Sequence, residues 1–226
     1  MNQPLPSTNL LSLDNVRVAI QGAEILRGVS LSVARGGLVA LVGRNGAGKT
    51  TTLRSVMGLL PLAGGRITVD GEDLAQVPPF RRAQLGIGYV PEERRLIGRL
   101  TVADNLLLPA WMGDSAHAAQ RLESIYRLMP ELQPLAERKA AQLSGGQQKM
   151  VALARALMSA AKLLLLDEPF EGLSPGLGER LGMTIREVQR SGVSVLVAES
   201  DLKRVGFVER IYTIERGAIV QETAPA

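Results

Sequence analysis

The stretch from Gly43 to Thr51 constrains this chain more than any other. Gly43, Arg44, Asn45, Gly46, Ala47, Gly48, Lys49, Thr50 and Thr51 follow the apolar run Leu38 to Val42 and open a helical stretch through Met57, with Gly58 placed to cap it. Successive backbone N–H groups must turn inward to wrap a phosphate, along a path that a Cβ obstructs and glycine permits. The helix N-terminus behind the loop adds free donors and partial positive charge. In this strand, loop and helix setting the pattern predicts a nucleotide phosphate site, with Lys49 reaching the β and γ phosphates, Thr50 placing its hydroxyl on Mg²⁺ and Thr51 reaching the α phosphate. A chance glycine-rich turn is the competing reading, and the flanking strand and helix argue against it.

A second element supports the first. The apolar run Leu163 to Leu166 ends in Asp167, Glu168 and Pro169. Acids at the carboxyl end of a strand in an open α/β sheet stand where such sheets bind ligands, beside the phosphate loop if the two strands are adjacent. Asp167 then holds Mg²⁺, which takes one or two carboxylates besides phosphate and water, and Glu168 orients and deprotonates the attacking water.

Composition narrows the alternatives. The chain of 226 residues has no cysteine and one histidine, which excludes thiolate metal sites, disulfides and histidine-based chemistry. A hydrophobic fraction of 46% with only 3% aromatics implies a core of Leu, Val, Ile and Ala, the filling of parallel sheets covered by helices. The net charge of +4 comes from basic residues interleaved with acids and not with aromatics, which reads as a solvated face, so no nucleic acid partner is expected. The first nine residues hold no apolar signal segment, and no run approaches the roughly 18 apolar residues of a membrane span, so the chain is expected to be intracellular and not itself membrane-spanning.

Strand-like runs fall at Leu10 to Val18, Val29 to Val33, Leu38 to Val42, Ile67 to Val69, Ile87 to Val90, Leu163 to Leu166, Val193 to Ala198 and Ile211 to Ile214. Those at 38, 163 and 193 are nearly continuously apolar, as strands covered on both faces are, and predict a parallel sheet. The first seventy residues alternate, with turn signals at Asp14-Asn15, Gly36-Gly37, Gly64-Gly65 and Asp70-Gly71, and predict an antiparallel sheet beside it. Residues 93–142 carry helical spacing, as in Leu122, Ile125, Tyr126 and Met129, and predict a helical insertion between two strands, with Trp111 and Met112 packed inside it.

Leu143, Ser144, Gly145, Gly146, Gln147 and Gln148 then precede a helix from Lys149 to Ser159. Serine and two glycines at a helix N-terminus make a second anion site. Ser144 as a plain helix cap explains the serine but neither the paired glycines nor the glutamines.

This LSGGQ run resembles the signature motif of the ATP-binding cassette (ABC) family, and the resemblance extends from about Leu10 to Val220. Gly172 to Pro175 resembles the family's D-loop, Tyr89 to Glu92 its Q-loop and Leu100 to Asn105 the entry to its helical subdomain. The resemblance implies an α/β fold: a P-loop NTPase core with a parallel sheet, an N-terminal antiparallel β-subdomain and an inserted helical subdomain. It places the core at 10–92 and 155–222 and the helical subdomain at 93–154. It also implies ATP and Mg²⁺ as ligands, and a head-to-tail dimer with a second ATP-binding subunit, identical or paralogous, in which Ser144, Gly145, Gly146 and Gln147 face the partner's ATP. Integral membrane permease subunits, with the chain peripheral on the cytoplasmic face of the cell membrane, follow from it as well. The run Tyr89 to Arg95 with Arg99 to Val102 is similar to the ATP-binding subunits of branched-chain amino acid importers and their relatives for urea and amides. Three positions depart from the family pattern: Glu92 replaces the Q-loop glutamine as a possible Mg²⁺ ligand, Ile20 replaces the aromatic residue that stacks on adenine, and Ser200 stands at the switch histidine.

Overall fold

The computed structural model describes residues 9–93, 95–111, 117–160 and 162–224. The segment read for a signal peptide lies mostly outside them, as does Met112.

Three strands whose every residue is buried, β3 (Leu38–Val42), β7 (Leu163–Asp167) and β8 (Ser194–Glu199), form the middle of one sheet. With β6 (Ile87–Val90), β9 (Arg210–Glu215) and β10 (Ala218–Thr223) the sheet runs β10-β9-β3-β8-β7-β6. All neighbours are parallel except the β9-β10 pair. The period-2 alternation of a strand sends Leu38, Ala40, Leu164, Leu166, Val195 and Val197 into one core, and Val39, Leu41, Leu163, Leu165 and Leu196 into another on the opposite face. That is why these runs read as apolar throughout. Truncating fully buried Leu165 to Ala is expected to cost about 2–5 kcal/mol. The phosphate-loop strand β3 and the carboxylate strand β7 are not adjacent, contrary to the condition set from sequence, because β8 lies between them.

The second sheet is antiparallel, in the order β2-β1-β4-β5, from β1 (Asn9–Ile20), β2 (Ala23–Ala34), β4 (Gly64–Val69) and β5 (Glu72–Asp73). Two expected turns are not turns. Asp14-Asn15 lies inside β1 as a bulge, with Asn15 at φ 47 and the register slipping between Leu13 and Val16. Gly64-Gly65 opens β4, where a Cβ on Gly65 would come within 2.3 Å of the Asn15 carbonyl oxygen. Strands β5, only two residues long, and β10, apolar only from Ala218 to Val220, were not among the expected strands.

Helix α1 (Lys49–Val56) leaves β3 through the phosphate loop and ends before Gly58, which has φ 71 as a C-terminal glycine should. Its last carbonyls are taken up by the buried Arg82 of α2 (Pro79–Gln84), which donates to Ser55 O at 3.0 Å and Val56 O at 2.7 Å.

Between β6 and β7 run α3 (Val102–Trp111), α4 (Ala118–Leu128), 3₁₀ turns at Pro130–Leu135 and Ala140–Gln142, and α5 (Gly145–Leu157). Val102, Leu106 and Leu132 of this insertion share a core with α6 (Pro175–Arg190) and with one face of the sheet. The expected boundary between residues 154 and 155 falls inside α5, a single continuous helix. Trp111, expected to pack within the insertion, is 61% exposed. Among the described residues no helix is long and apolar enough to cross a membrane.

Candidate active site

Gly48 sits at φ 114 as the N-cap of α1 with no side chain capping the helix, so the first-turn N–H groups face outward unsatisfied by a cap. Gly43 is required for a different reason than phosphate wrapping: a Cβ there would stand 2.3 Å from the Ile214 carbonyl oxygen of β9. Lys49, 5% exposed, curls back to donate to Gly43 O at 2.7 Å and Arg44 O at 3.3 Å.

Although β8 separates the strands, Thr50 Oγ1 donates to Asp167 Oδ1 at 3.0 Å. The Tyr89 hydroxyl donates to the other oxygen, Oδ2, at 3.2 Å. Burial raises the Asp167 carboxyl above its usual range, and the bonds from Thr50 and Tyr89 only partly offset it. The sequence marks Tyr89 only as part of a motif; its position on β6, beside β7, is what makes it a partner of Asp167.

Glu168 follows in the left-handed region at φ 48, its N–H bound to Ala198 O at 2.9 Å. One carboxylate oxygen, Oε1, stands 2.9 Å from Lys49 Nζ, a close ion pair but a poorly aligned hydrogen bond. The other, Oε2, accepts from Ser200 N and from Ser200 Oγ, both at 3.2 Å. Burial opposes ionisation of Glu168, but Lys49, with help from Glu199 and the Ser200 amide, outweighs it and holds the carboxyl below its usual range. Fully buried Glu199 accepts from Phe170 N at 3.0 Å and is pushed up to about 7 by burial and by the charge of Glu168. Ser200 does not cap the following 3₁₀ turn; Asp201 does, accepting from Lys203 N.

A cleft of about 460 Å³ gathers Ile20, Asn45, Gly46, Gly48, Lys49, Thr50, Thr51, Glu92, Glu168 and Ser200. Ile25 and Glu171 also line it and were not anticipated; Ile25 is a neighbour of the Ile20 hairpin on β2, and its signal was the alternation of that strand. Gly43, Arg44 and Ala47 shape the loop without lining the cleft, and Asp167 lies behind Thr50. A larger groove of about 630 Å³ beside Phe170 and Phe207 contains none of Lys49, Thr50 or Asp167. Burial and the nearby Glu171, Asp167 and Glu168 raise the Glu92 carboxyl. The donors that meet here, the Thr50 hydroxyl against the Asp167 carboxylate and Glu92 in the same cleft, are oxygens of the kind a hard divalent cation such as Mg²⁺ takes.

Ser144, Gly145, Gly146 and Gln147 do not line this cleft. Ser144 Oγ accepts from Gln147 N at 3.2 Å while Gln147 Oε1 accepts from Ser144 N at 2.9 Å, a reciprocal capping box at the start of α5. Local packing therefore explains more of the motif than the sequence suggested: Gln147 closes the cap, and a Cβ on Gly146 would meet Leu177 Cδ2 at 2.1 Å.

Comparison with known proteins decides the family. The model of the ABC transporter family matches residues 26–171. The chain belongs to the ABC transporter family. It is 37% identical over 218 residues to the high-affinity branched-chain amino acid transport ATP-binding protein BraG of Pseudomonas aeruginosa, covering 96% of this chain and 94% of that one. It is 36% identical over 218 residues to the lipopolysaccharide export system ATP-binding protein LptB of Escherichia coli, covering 95% and 90%. Its fold matches a dimeric ATP-binding cassette solved in a post-hydrolysis state with ADP and Pi, with a TM-score of 0.85 and 26% identity over 96% of this chain and 99% of that one. As an ABC transporter ATPase subunit, the chain hydrolyses ATP.

Proposed function

We propose that the cleft binds ATP through the Gly43 to Thr51 loop and that Glu168 is the general base for its hydrolysis. The observation that carries this reading is the Lys49–Glu168 ion pair together with the Thr50–Asp167 hydrogen bond. When ATP enters, Lys49 turns from Glu168 to the β and γ phosphates, which offer more negative charge. Glu168, relieved of its counter-charge, becomes more basic and takes a proton from the attacking water as the oxygen bonds to the γ phosphorus and the bond to the β-γ bridging oxygen breaks. Ser200 holds Glu168 Oε2 while this happens, and Ile20 and Ile25 offer the adenine an aliphatic surface. Thr50, Asp167 and Glu92 are the residues that would hold Mg²⁺, whose charge offsets that of the phosphates.

The capped N-terminus of α5, away from the chain's own cleft, supports a head-to-tail dimer with an identical or paralogous subunit, Ser144 to Gln147 facing the partner's nucleotide. The dimeric state of the matched cassette supports the same arrangement. Residues 93–154 then serve as the helical subdomain and 10–92 with 155–222 as the core, docked at the cytoplasmic face of the membrane on integral permease subunits.

The cargo we infer is a branched-chain or other hydrophobic amino acid, or a related urea or amide solute, moving inward. The similarity to BraG, through nearly its whole length, supports this, and that to LptB supports export instead. Disrupting the chain's gene in its native cell and following uptake of labelled leucine, isoleucine and valine tests the direction. Loss of uptake is expected; unchanged uptake of these and of urea would overturn import.

A further inference from the structure

Lys149 belongs to the second turn of α5, yet it is only 8% exposed. It donates to the backbone carbonyls of Glu168 at 3.1 Å and Pro169 at 3.2 Å, and to that of Glu171. Three carbonyls from a stretch of four residues thus converge on one charged group. An ammonium carries three N–H donors and no acceptor, which suits it to carbonyl oxygens, and such charge-assisted bonds offset the cost of burying the charge. The turn they hold is a strained one: Glu168 is at φ 48, a conformation disfavoured for a residue with a Cβ, and Gly172 closes the turn at φ 67. The Glu168 side chain is held separately, by Lys49 and Ser200.

We propose that Lys149 is a positioning residue for ATP hydrolysis: by clamping the carbonyls of Glu168, Pro169 and Glu171 it fixes the backbone from which the base reaches the attacking water. The clamp also ties the start of α5 to the base within one subunit. Ser144 caps the helix five residues before Lys149, about 7.5 Å along its axis, so a displacement of the capped end is passed to the turn carrying Glu168. This proposal rests on Glu168 being the base.

The chain contains no cysteine, so Lys149→Cys introduces a single thiol that 2-bromoethylamine, applied to the unfolded protein before refolding, converts to a side chain of nearly lysine length with its ammonium restored. Wild type taken through the same treatment is the control. The unmodified variant is expected to lose tenfold or more in kcat with KM for ATP changed less than about threefold, and the aminoethylated protein to regain most of the loss. If the cysteine protein does not refold, the same comparison is made with Lys149→Met, its folding checked by circular dichroism. Adding Lys149→Met to Glu168→Gln is expected to cost little further, because residues acting through one group are not additive. An unchanged kcat in a folded Lys149 variant, or a full further loss in the Glu168→Gln background, would overturn the proposal. If Glu168→Gln alone turns over normally, the assignment of the base fails first, whatever Lys149 does.

Discussion

Lys49 Nζ lies 2.9 Å from Glu168 Oε1, joining the phosphate loop of β3 to the end of β7 across the intervening strand β8. Both side chains are almost fully buried, so the pair is screened little by solvent. In the function proposed above, Lys49 would have two uses, neutralising the base before nucleotide arrives and neutralising phosphate after.

Lys49→Ala is accordingly expected to nearly abolish phosphate release, since a charge-assisted contact to the β and γ phosphates is lost from ground and transition states alike. It also leaves Glu168 buried without its counter-charge. Near-normal turnover in a phosphate-release assay would refute the loop's assignment.

Ser200→Ala removes the hydroxyl bond to Glu168 Oε2 but leaves the Ser200 amide bonded to the same oxygen. Turnover is expected to fall less than about tenfold, or about 1.4 kcal/mol of transition-state stabilisation. Because Asp201 and not Ser200 caps the following turn, the melting temperature should barely move. A loss approaching that of Glu168→Gln at unchanged stability would show that this serine carries the switch function.

Glu199 predicts a pH dependence of stability. Its folded-state pKa is raised to about 7, so from the unfolded carboxylate range up to that point the unfolded chain releases the proton first and stability falls as pH rises. Below that window both states are protonated and the cost vanishes. The groups facing it are Glu168, whose charge adds to the effect, and Arg204, 3.8 Å from Oε2, which weakens it. Glu199→Gln should remove this slope, so that urea unfolding shows the variant gaining on wild type by roughly 1–3 kcal/mol between pH 4.5 and 7. A difference independent of pH would contradict the assignment.

What the sequence showed and what it hid follow from range. Asp167 and Glu168 stood out because they end an apolar run and Lys49 and Thr50 because they close a glycine-rich loop, and the buried strands β3, β7 and β8 announce themselves by their nearly continuous apolar runs. Strand order was not legible, since nothing local says that β8 inserts between β3 and β7. For the same reason Tyr89 and Lys149 went unassigned: their partners Asp167 and Glu168 lie 19 or more residues away and meet them only through the sheet and the packing of α5. Asp14-Asn15 misled because a bulge uses the residues a turn uses.

The central claim, that Glu168 is the base and not a structural or metal-binding acid, is tested most directly by Glu168→Gln. Equilibrium ATP binding, single-turnover hydrolysis and size-exclusion chromatography with and without ATP are measured on the same preparation. The account predicts that ATP binding is retained, that hydrolysis slows by a factor on the order of a hundred or more, and that an ATP-dependent dimer accumulates. Loss of ATP binding, or hydrolysis at the wild-type rate, would contradict it.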